Sequence, residues 1–334
     1  MRIPWQKIKK PVLFSILIVG SATSGFLVRP LLTQSQQNTE KRVWDLHEGN
    51  GTQRFQFINP LLACGDFDNV SNRQIENMRQ EVQTLIEREK AEGAIAFMSV
   101  YFRELNNGPW FGINEQEKFT PGSLLKVPFL VAILKKGDSD PGFLEKKIQY
   151  DGGKDSTPVF FPPEKQLQIG AVYSINNLVE AMITYSDNNA ALLLAQLIDR
   201  KKIEETYDDF GIDPPHDATY VMTVRTYASF FRVLFNATYL TKELSEKALA
   251  LLAHTSFLGG VHAGVPPSIA VAHKFGERDL GQGQKQLHDC GIVYYPRYPY
   301  LLCVMSRGNA YPAMNQAIEH ISRTVYTAVQ NNMR

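Results

Sequence analysis

Residues 94–113, AIAFMSVYFRELNNGPWFGI, decide the fold class. Residues 94–105 are rich in the β-branched and aromatic side chains that suit a pleated strand. Asn106-Asn107-Gly108 is a turn signal, and a second strand is expected from Pro109 to Phe119. The stretch therefore predicts a β-hairpin early in the chain.

Three further strands are expected close to the C-terminus, at 268–275 (SIAVAHKF), 291–296 (GIVYYP) and 300–308 (YLLCVMSRG). The chain between the hairpin and these strands, from Thr120 to Thr255, has a mostly helical pattern. Strands at both ends with helices between them predict an α+β fold, in which distant parts of the chain form one antiparallel sheet. The helical middle would form a second lobe, and we expect chemistry in the cleft between the lobes.

Two amphipathic helices are expected to flank this sheet, one near residues 71–91 and one near 312–330. Apolar side chains recur in them at helical spacing: Ile75, Met78, Val82, Leu85 and Ile86, then Met314, Ala317, Ile318, Ile321 and Val325. The predicted architecture is thus an antiparallel sheet flanked by N- and C-terminal helices, with an all-helical lobe beside it.

The charge of the chain argues against a nucleic-acid partner. Its 334 residues contain 35 Lys and Arg against 34 Asp and Glu. Arg2, Lys7, Lys9 and Lys10 account for part of this balance, so the rest of the chain is slightly acidic. Nucleic-acid affinity comes mainly from basic groups that neutralise phosphates, so no such binding is expected. A hydrophobic fraction of 44% excludes a disordered chain.

The basic N-terminus precedes an uncharged run at residues 11–28, PVLFSILIVGSATSGFLV, which is just long enough to cross a bilayer. Positive charge before the run orients it with its N-terminus in the cytoplasm. We expect a membrane anchor in residues 1–32, a polar linker in 33–54 and a domain in 55–334 on the outer side of the cytoplasmic membrane. A cleaved signal peptide and a buried core helix are the alternatives.

The first candidate motif is TPGSLLK at residues 120–126. Thr120 is a favoured N-cap and Pro121 suits the first helical position. Ser123 and Lys126 are therefore expected on one face of the opening turn of a helix. A serine becomes a nucleophile when a neighbouring base takes its proton, and a desolvated lysine can be that base. The alternative is a capped helix with a solvated lysine.

The second motif is Ser186-Asp187-Asn188, expected between two helices. In a catalytic site, Ser186 could relay a proton, and Asn188 could hold both a substrate carbonyl and the lysine amine. All three residue types are also favoured helix caps, so an ordinary helix start is the alternative.

The third motif is His273-Lys274-Phe275-Gly276, at the end of an apolar strand. Gly276 would let the strand backbone approach a substrate closely, and Lys274 would attract the carboxylate of that substrate. The amide of Glu277 would then point into the cleft. The alternative for Lys274 is an edge charge that discourages aggregation.

In this order and context, the three motifs resemble those of the penicillin-recognising serine hydrolases and, within them, the class A β-lactamases. The resemblance spans residues 55–330. It implies that Ser123 is acylated, that Lys126 is the base or part of its relay, and that Ser186 passes a proton to the leaving nitrogen. It implies no cofactor, and no metal-ligand spacing is present in the sequence.

Substrate recognition is assigned to a second group of residues. The amides of Ser123 and Glu277 would form the oxyanion hole, which stabilises negative charge in the transition state. The resemblance implies some of the substrate contacts, and others are considered because Phe275 stands where the family has a hydroxyl residue. These candidates are Asn188, Lys274, Gly276, Glu277, Arg278 and His288.

The sequence departs from the family pattern in the loop after the second motif. The resemblance implies a glutamate there, which positions the water that clears the acyl-enzyme. Residues 212–220, IDPPHDATY, contain no glutamate. Asp217 is a weak substitute because its side chain is shorter and the loop is shortened.

A second departure is Phe275, which replaces the hydroxyl residue of the third motif. The lost hydrogen bond to the substrate carboxylate would have to come from Arg278, His273 or His288. A His288-Asp289 pair facing the cleft could serve, although a strand-entry cap with an ordinary histidine is the favoured alternative.

We therefore expect an exported, anchored serine hydrolase that forms a Ser123 acyl-enzyme with β-lactams and hydrolyses their amide, with slow deacylation. A D-alanyl-D-alanine peptidase is the first alternative, favoured by the missing glutamate and the membrane tether. The second alternative is a module that binds β-lactams or cell-wall peptides without catalysis. The intact set of Ser123, Lys126, Ser186 and Lys274 argues against that module.

Overall fold

The computed structural model describes residues 55–59, 72–106, 108–153, 155, 157–217 and 219–332. A five-stranded antiparallel sheet has the strand order β2-β1-β9-β8-β7. Its strands are β1 (Phe97–Glu104), β2 (Trp110–Ile113), β7 (Val271–Gly281), β8 (Gln284–Val293) and β9 (Tyr300–Gly308). The predicted α+β fold is confirmed, since strands from both ends of the chain share this sheet.

The hairpin predicted from residues 94–113 is present. Val100 lies opposite Ile113 and Arg103 lies opposite Trp110 in the β1–β2 ladder. The other side of β1 pairs with β9, which brings Phe97 opposite Arg307. As a result, β2 and β7 are the two edges of the sheet, and they lie at opposite ends of it.

The helices α1 (Asn72–Ala91) and α9 (Tyr311–Asn332) pack together and against the sheet. Their predicted apolar stripes are buried: Ile75, Met78, Val82, Leu85 and Ile86 on α1, and Met314, Ala317, Ile318, Ile321 and Val325 on α9. Both stripes share one hydrophobic cluster with residues of the sheet. The terminal helices therefore flank the sheet as the sequence predicts.

A second hydrophobic cluster joins the sheet to the middle of the chain. The helices of this region are α2 (Lys126–Ser139), α3 (Ile175–Thr184), α4 (Asn188–Ala195), α5 (Arg200–Asp209), α6 (Val224–Phe235), α7 (Lys242–Ala253) and the short α8 (Gly260–Ala263). The predicted helical lobe is interrupted by loops and by two small ribbons. These are β3 (Lys118–Phe119) with β6 (Met222–Thr223), and β4 (Lys147–Gln149) with β5 (Val172–Ser174).

Strand β8 begins earlier than the predicted 291–296 strand. It starts at Gln284, directly after the hairpin turn at Gln282-Gly283, and ends at Val293. The polar residues Gln286 and His288 lie in the buried part of this strand, where their side chains hydrogen-bond to the backbone of Thr120. A pattern based on apolar residues misses such a segment because tertiary partners satisfy its polar groups.

All described residues fall within 55–334, the range predicted for the domain. Among them, no helix combines the length and the apolar character needed to cross a membrane. The predicted anchor at 11–28 and the predicted linker at 33–54 lie outside the described residues.

Candidate active site

Ser123 lies in a 3₁₀ turn, Gly122–Leu125, which leads directly into α2 at Lys126. The prediction that Thr120 caps a helix is wrong, because Pro121 occupies the N-cap position without a side-chain hydrogen bond. Instead, the Thr120 amide donates to Gln286 Oε1 at 3.0 Å, and the Thr120 carbonyl oxygen lies 3.1 Å from His288 Nε2. Backbone contacts with β8 therefore position the serine turn.

Two glycines let the serine turn touch the edge strand β7. A Cβ on Gly276 would lie 2.7 Å from the Pro121 oxygen and 2.9 Å from the Leu124 nitrogen. Gly122 has a φ of +56°, and a Cβ there would lie 2.6 Å from the Glu277 carbonyl oxygen. The close approach expected at Gly276 is therefore an approach to the serine turn itself.

Lys126 is buried, with 7% of its surface exposed. Its Nζ donates to the Ser186 carbonyl oxygen and to Asn188 Oδ1, both at 2.6 Å, and lies 3.3 Å from Ser186 Oγ. The alternative of a solvated lysine is therefore wrong. The expected contact between Asn188 and the lysine amine is present.

Lys274 is fully buried and is the second amine that contacts the Ser186 hydroxyl. Its Nζ donates to Ser186 Oγ and to the Phe275 carbonyl oxygen, both at 2.9 Å. An edge charge would project into solvent, so that alternative is wrong for Lys274. The Ser186 hydroxyl thus lies between the two buried amines of Lys126 and Lys274.

The loop that holds Ser186 is fixed by its neighbours. It joins the end of α3 at Thr184 to the start of α4 at Asn188. Asp187 caps α4 by accepting from the Ala190 amide at 3.0 Å. Ser186 has a φ of 57°, a left-handed conformation that is uncommon for a residue with a Cβ. Such strain is found where the surrounding structure holds a functional residue in place.

Burial lowers the pKa of Lys126 to about 8, although the nearby charges of Asp187 and Asp155 oppose the shift. Burial also lowers the pKa of Lys274 well below its usual value, and the positive charge of Lys126 adds to that effect. Lowered pKa values make a neutral lysine amine accessible near physiological pH. Lys126 can therefore act as a proton acceptor.

Asp155 belongs to this site, although no sequence pattern indicates it. One of its carboxylate oxygens accepts from Asn188 Nδ2 at 2.7 Å, and the other accepts from the Thr157 amide at 3.1 Å. Asp155 therefore orients the Asn188 amide, so that Asn188 Oδ1 faces Lys126. Asp155 lies outside helices and strands, where periodicity carries no information on contacts.

Residues 157–167, here called the bridging loop, contact both sides of the cleft. The Leu167 amide donates to Asp187 Oδ2 at 3.1 Å. At the other end, the Glu277 carboxylate accepts from the Phe160 amide at 3.0 Å and from the Phe161 amide at 3.1 Å. Burial raises the pKa of Glu277, and these two hydrogen bonds oppose that rise. The loop therefore joins the second motif to the third.

Phe275 belongs to an aromatic cluster. Its ring stacks on Phe257 at a centroid distance of 4.1 Å, and Phe161 of the bridging loop meets it edge-on at 5.8 Å. Such ring pairs stabilise beyond their buried area. The residue that replaces the family's hydroxyl thus anchors the bridging loop.

The two histidines considered for a substrate carboxylate lie inside the protein. His288 is fully buried; its Nε2 contacts the Thr120 carbonyl oxygen and its Nδ1 accepts from the Ser306 amide. Burial lowers the pKa of His288 to about 4, so its ring is neutral at physiological pH. The structure therefore does not bring His288 to the group formed by Lys126, Lys274 and Ser186, here called the lysine cluster.

Asp289 pairs with His273 and not with His288. Its Oδ1 lies 2.9 Å from His273 Nδ1, and both side chains are buried. His288 and Asp289 lie in the middle of β8, so the strand-entry cap is also wrong. Of the candidates for the missing hydrogen bond, Arg278 alone is partly exposed, on the outer half of β7.

The loop between α5 and α6 contains Asp217, the possible substitute for the missing glutamate. Asp217 is exposed, and its Oδ1 accepts from the Thr219 amide at 2.7 Å and from Thr219 Oγ1 at 2.6 Å. These hydrogen bonds hold the pKa of Asp217 below its usual value. Asp217 lines a cavity whose lining includes no residue of the three motifs.

The sequence model of the β-lactamase enzyme family matches residues 77–329. Among solved structures of similar fold are a β-lactamase from Chitinophaga pinensis (20% identity, TM-score 0.66, covering 76% of this chain and 99% of that one) and the TLA-3 extended-spectrum β-lactamase (16%, 0.68, 76% and 99%). A third is a mutant of PBP-A, solved as an acyl-enzyme complex with penicillin G (22%, 0.63, 77% and 97%). The chain belongs to the β-lactamase enzyme family, whose members are serine hydrolases that act on amide bonds.

Proposed function

We propose that the chain forms an acyl-enzyme with β-lactams at Ser123, hydrolyses their amide bond and releases the product slowly. The observation that carries this proposal is the position of the Ser186 hydroxyl between two buried amines, 3.3 Å from Lys126 Nζ and 2.9 Å from Lys274 Nζ. A buried pair of lysines that share one hydroxyl provides a route for a proton. A merely structural helix start requires no such pair.

Acylation begins when the neutral Lys126 amine accepts the Ser123 proton, directly or through a relay. Ser123 Oγ then attacks the lactam carbonyl, and the amides of Ser123 and Glu277 stabilise the oxyanion. As the carbon–nitrogen bond breaks, Ser186 gives its proton to the leaving nitrogen and regains one from the neighbouring lysines. Asn188 contributes by holding Lys126 in place, since its Oδ1 accepts from Nζ at 2.6 Å.

Deacylation requires a base that activates water next to the ester carbonyl. Residues 212–220 provide no glutamate, and the hydrogen bonds of Asp217 lie within its own loop. Slow deacylation follows, and the acyl-enzyme accumulates. A mutant of PBP-A, a protein of the same fold, was solved as an acyl-enzyme complex with penicillin G, which supports formation of the acyl-enzyme.

The missing glutamate also favours a second candidate, a D-alanyl-D-alanine peptidase of the cell wall. Such an enzyme uses the same acylation machinery on a peptide amide, and slow hydrolysis of β-lactams does not impair it. Either function requires the domain to lie outside the cytoplasm, where its substrates occur. The basic residues Arg2, Lys7, Lys9 and Lys10 before the uncharged run at 11–28 support export and anchoring.

The test is to incubate the full-length protein with a chromogenic β-lactam and to follow hydrolysis together with intact mass. We expect an adduct on the native protein and none on Ser123→Ala. Ser139→Ala, an exposed serine at the end of α2, is the matched control and should form the adduct. An adduct on Ser123→Ala would contradict the proposal. Release of D-alanine from a peptide ending in D-Ala-D-Ala would favour the peptidase.

A further inference from the structure

Three arginines converge on one cavity at the β2–β1 edge of the sheet. Arg103 projects from β1, and Arg225 and Arg232 project from α6. The cavity has a volume of about 840 Å³ and also contains Lys118 in its lining. We call it the arginine pocket. Its volume falls within the range of about 300–1,000 Å³ that is common for small-molecule sites.

Two of the arginines interact with aromatic side chains of the sheet. The Arg225 guanidinium lies 4.8 Å from the centre of the Trp110 ring, which stacks on Tyr101 at a centroid distance of 5.8 Å. Arg232 interacts with the Tyr101 side chain, and this interaction opposes the fall in the Arg232 pKa. Guanidinium groups stacked on aromatic faces lose little freedom when they bind an anion.

The positive charges of the pocket are not offset by an ion pair among the described residues. Within the part of the chain that the structure describes, the ion pairs join other groups, and none contains Arg103, Arg225 or Arg232. Burial lowers the pKa of Arg232, and the positive charges of Arg103 and Arg225 lower it further. Like charges held this close are costly unless an anion offsets them.

Two acidic residues, Asp213 and Asp217, line the pocket beside the four basic residues Arg103, Lys118, Arg225 and Arg232, so its lining keeps an excess of positive charge. Asp217 is hydrogen-bonded to Thr219, and Asp213, which is exposed, forms no ion pair with the three arginines among the described residues. Glu104 follows Arg103 on β1, so its side chain points to the opposite face of the strand. There its carboxylate accepts from the Asn106 amide at 2.9 Å.

We propose that the arginine pocket binds a ligand with two or more phosphate groups. Each phosphate presents several acceptor oxygens to the planar guanidinium fork, which matches them in pairs of hydrogen bonds. Three guanidinium groups and an amine offer more hydrogen-bond donors than a single phosphate can accept. The cavity is large enough to hold several linked phosphate groups.

This site is separate from the catalytic cleft. The pocket lies at the β2–β1 edge, whereas Lys274 and Gly276 lie on β7 at the other end of the sheet. Ser123, Lys126, Ser186 and Asn188 are absent from its lining. The proposal therefore stands independently of the reaction at Ser123.

The test is isothermal titration calorimetry of the full-length protein with inorganic tripolyphosphate. We expect saturable binding with a Kd below about 1 mM. Arg225→Gln should weaken that binding by about tenfold or more, because charge-assisted hydrogen bonds are lost. Arg225 is exposed, so this variant should keep the native unfolding temperature. Arg73→Gln, an equal change of charge on α1, is the matched control and should bind as the native protein does.

Absence of saturable binding would overturn the proposal, as would equal weakening by Arg73→Gln and Arg225→Gln. A second arm uses vesicles that contain cardiolipin, a lipid with two phosphate groups. Vesicle binding that Arg225→Gln removes would identify the phosphates as lipid headgroups. Tripolyphosphate binding without vesicle binding would identify a soluble phosphate ligand, and both results retain the arginine pocket as the site.

Discussion

The lysine cluster and the loop between α5 and α6 contrast in burial and in bonding. In the cluster, Lys126 and Lys274 are buried, and their amines contact the same Ser186 hydroxyl. In the loop, Asp213 and Asp217 are exposed, and Asp217 is hydrogen-bonded within the loop itself. The amines that the proposed function assigns to acylation are therefore buried and bonded to one hydroxyl, whereas the loop carboxylates are exposed to solvent.

The proposed function uses this contrast to separate acylation from deacylation within one fold. The groups that take a proton from serine and give one to the leaving nitrogen depend on a packed interior. The group that activates water belongs to a surface loop, which varies without disturbing that interior. The experiments below change one region at a time.

The largest effect is expected from Lys126→Met, which removes the base and keeps the volume of the side chain. Acylation by a β-lactam should slow by about 10²–10⁴-fold, the usual contribution of a positioned acid or base. Stopped-flow measurement of the initial chromophore change determines this rate. Lys135→Met changes an exposed lysine of the same helix and should leave it unaltered. Near-native acylation by Lys126→Met would rule out the proposed base.

A second variant, Gly276→Ala, tests the contact between the serine turn and β7. The new Cβ would meet the Pro121 oxygen at 2.7 Å, so the turn must move. We expect a loss of about 1–3 kcal/mol in the free energy of unfolding. Acylation should fall by up to about 10²-fold, because Ser123 is displaced.

Chemical denaturation and the acylation rate measure the two effects of Gly276→Ala. The matched control is Gly112→Ala on β2, where a Cβ would meet the flexible Glu115 side chain. Gly112→Ala should lower the free energy of unfolding and the acylation rate less than Gly276→Ala does. Equal losses in the two variants would show that the serine turn does not depend on Gly276.

The pH dependence of acylation provides a smaller but specific test. Only the neutral amine of Lys126 accepts a proton, and burial lowers its pKa to about 8. The acylation rate should therefore rise about tenfold per unit at pH values below 8 and become constant above it. The rate is measured from about pH 6 to about pH 10 at constant ionic strength. A rate that falls as pH rises through 8 would require the charged ammonium form and would contradict the mechanism.

The smallest effect is expected from Asp217→Asn. Since the carboxylate of Asp217 is bonded within its own loop, neither acylation nor deacylation should change by more than about twofold. Decay of the adduct, followed by intact mass after removal of excess β-lactam, measures deacylation. A tenfold longer-lived adduct would instead show that Asp217 positions the hydrolytic water.

The sequence predicts most of the fold because its strands and terminal helices have clear periodicities. The Ile75 to Ile86 stripe recurs at helical spacing, and β1 is a run of strand-forming residues that is buried on both faces, so local sequence carries the information. It also predicts the residue types that surround Ser186. The first two motifs are recognisable because each combines a turn or a helix end with a reactive side chain, and the third because a lysine and a glycine interrupt an apolar strand.

The remaining features depend on contacts between distant segments. Asp155 and the bridging loop have no periodicity, and their roles arise from hydrogen bonds with Asn188 and Glu277. The polar start of β8 at Gln284 is stable only because the sheet and Thr120 satisfy its side chains. Thr120 is a good cap by propensity, yet tertiary bonds to its backbone override that preference.

The most direct test of separated acylation and deacylation is the burst of chromophore when the full-length protein meets excess chromogenic β-lactam. We expect a rapid burst of one equivalent per chain, then slow turnover, with intact mass showing an adduct of β-lactam mass throughout that phase. Rapid linear turnover without a lasting adduct would contradict this account, because it would require an efficient base for the deacylating water.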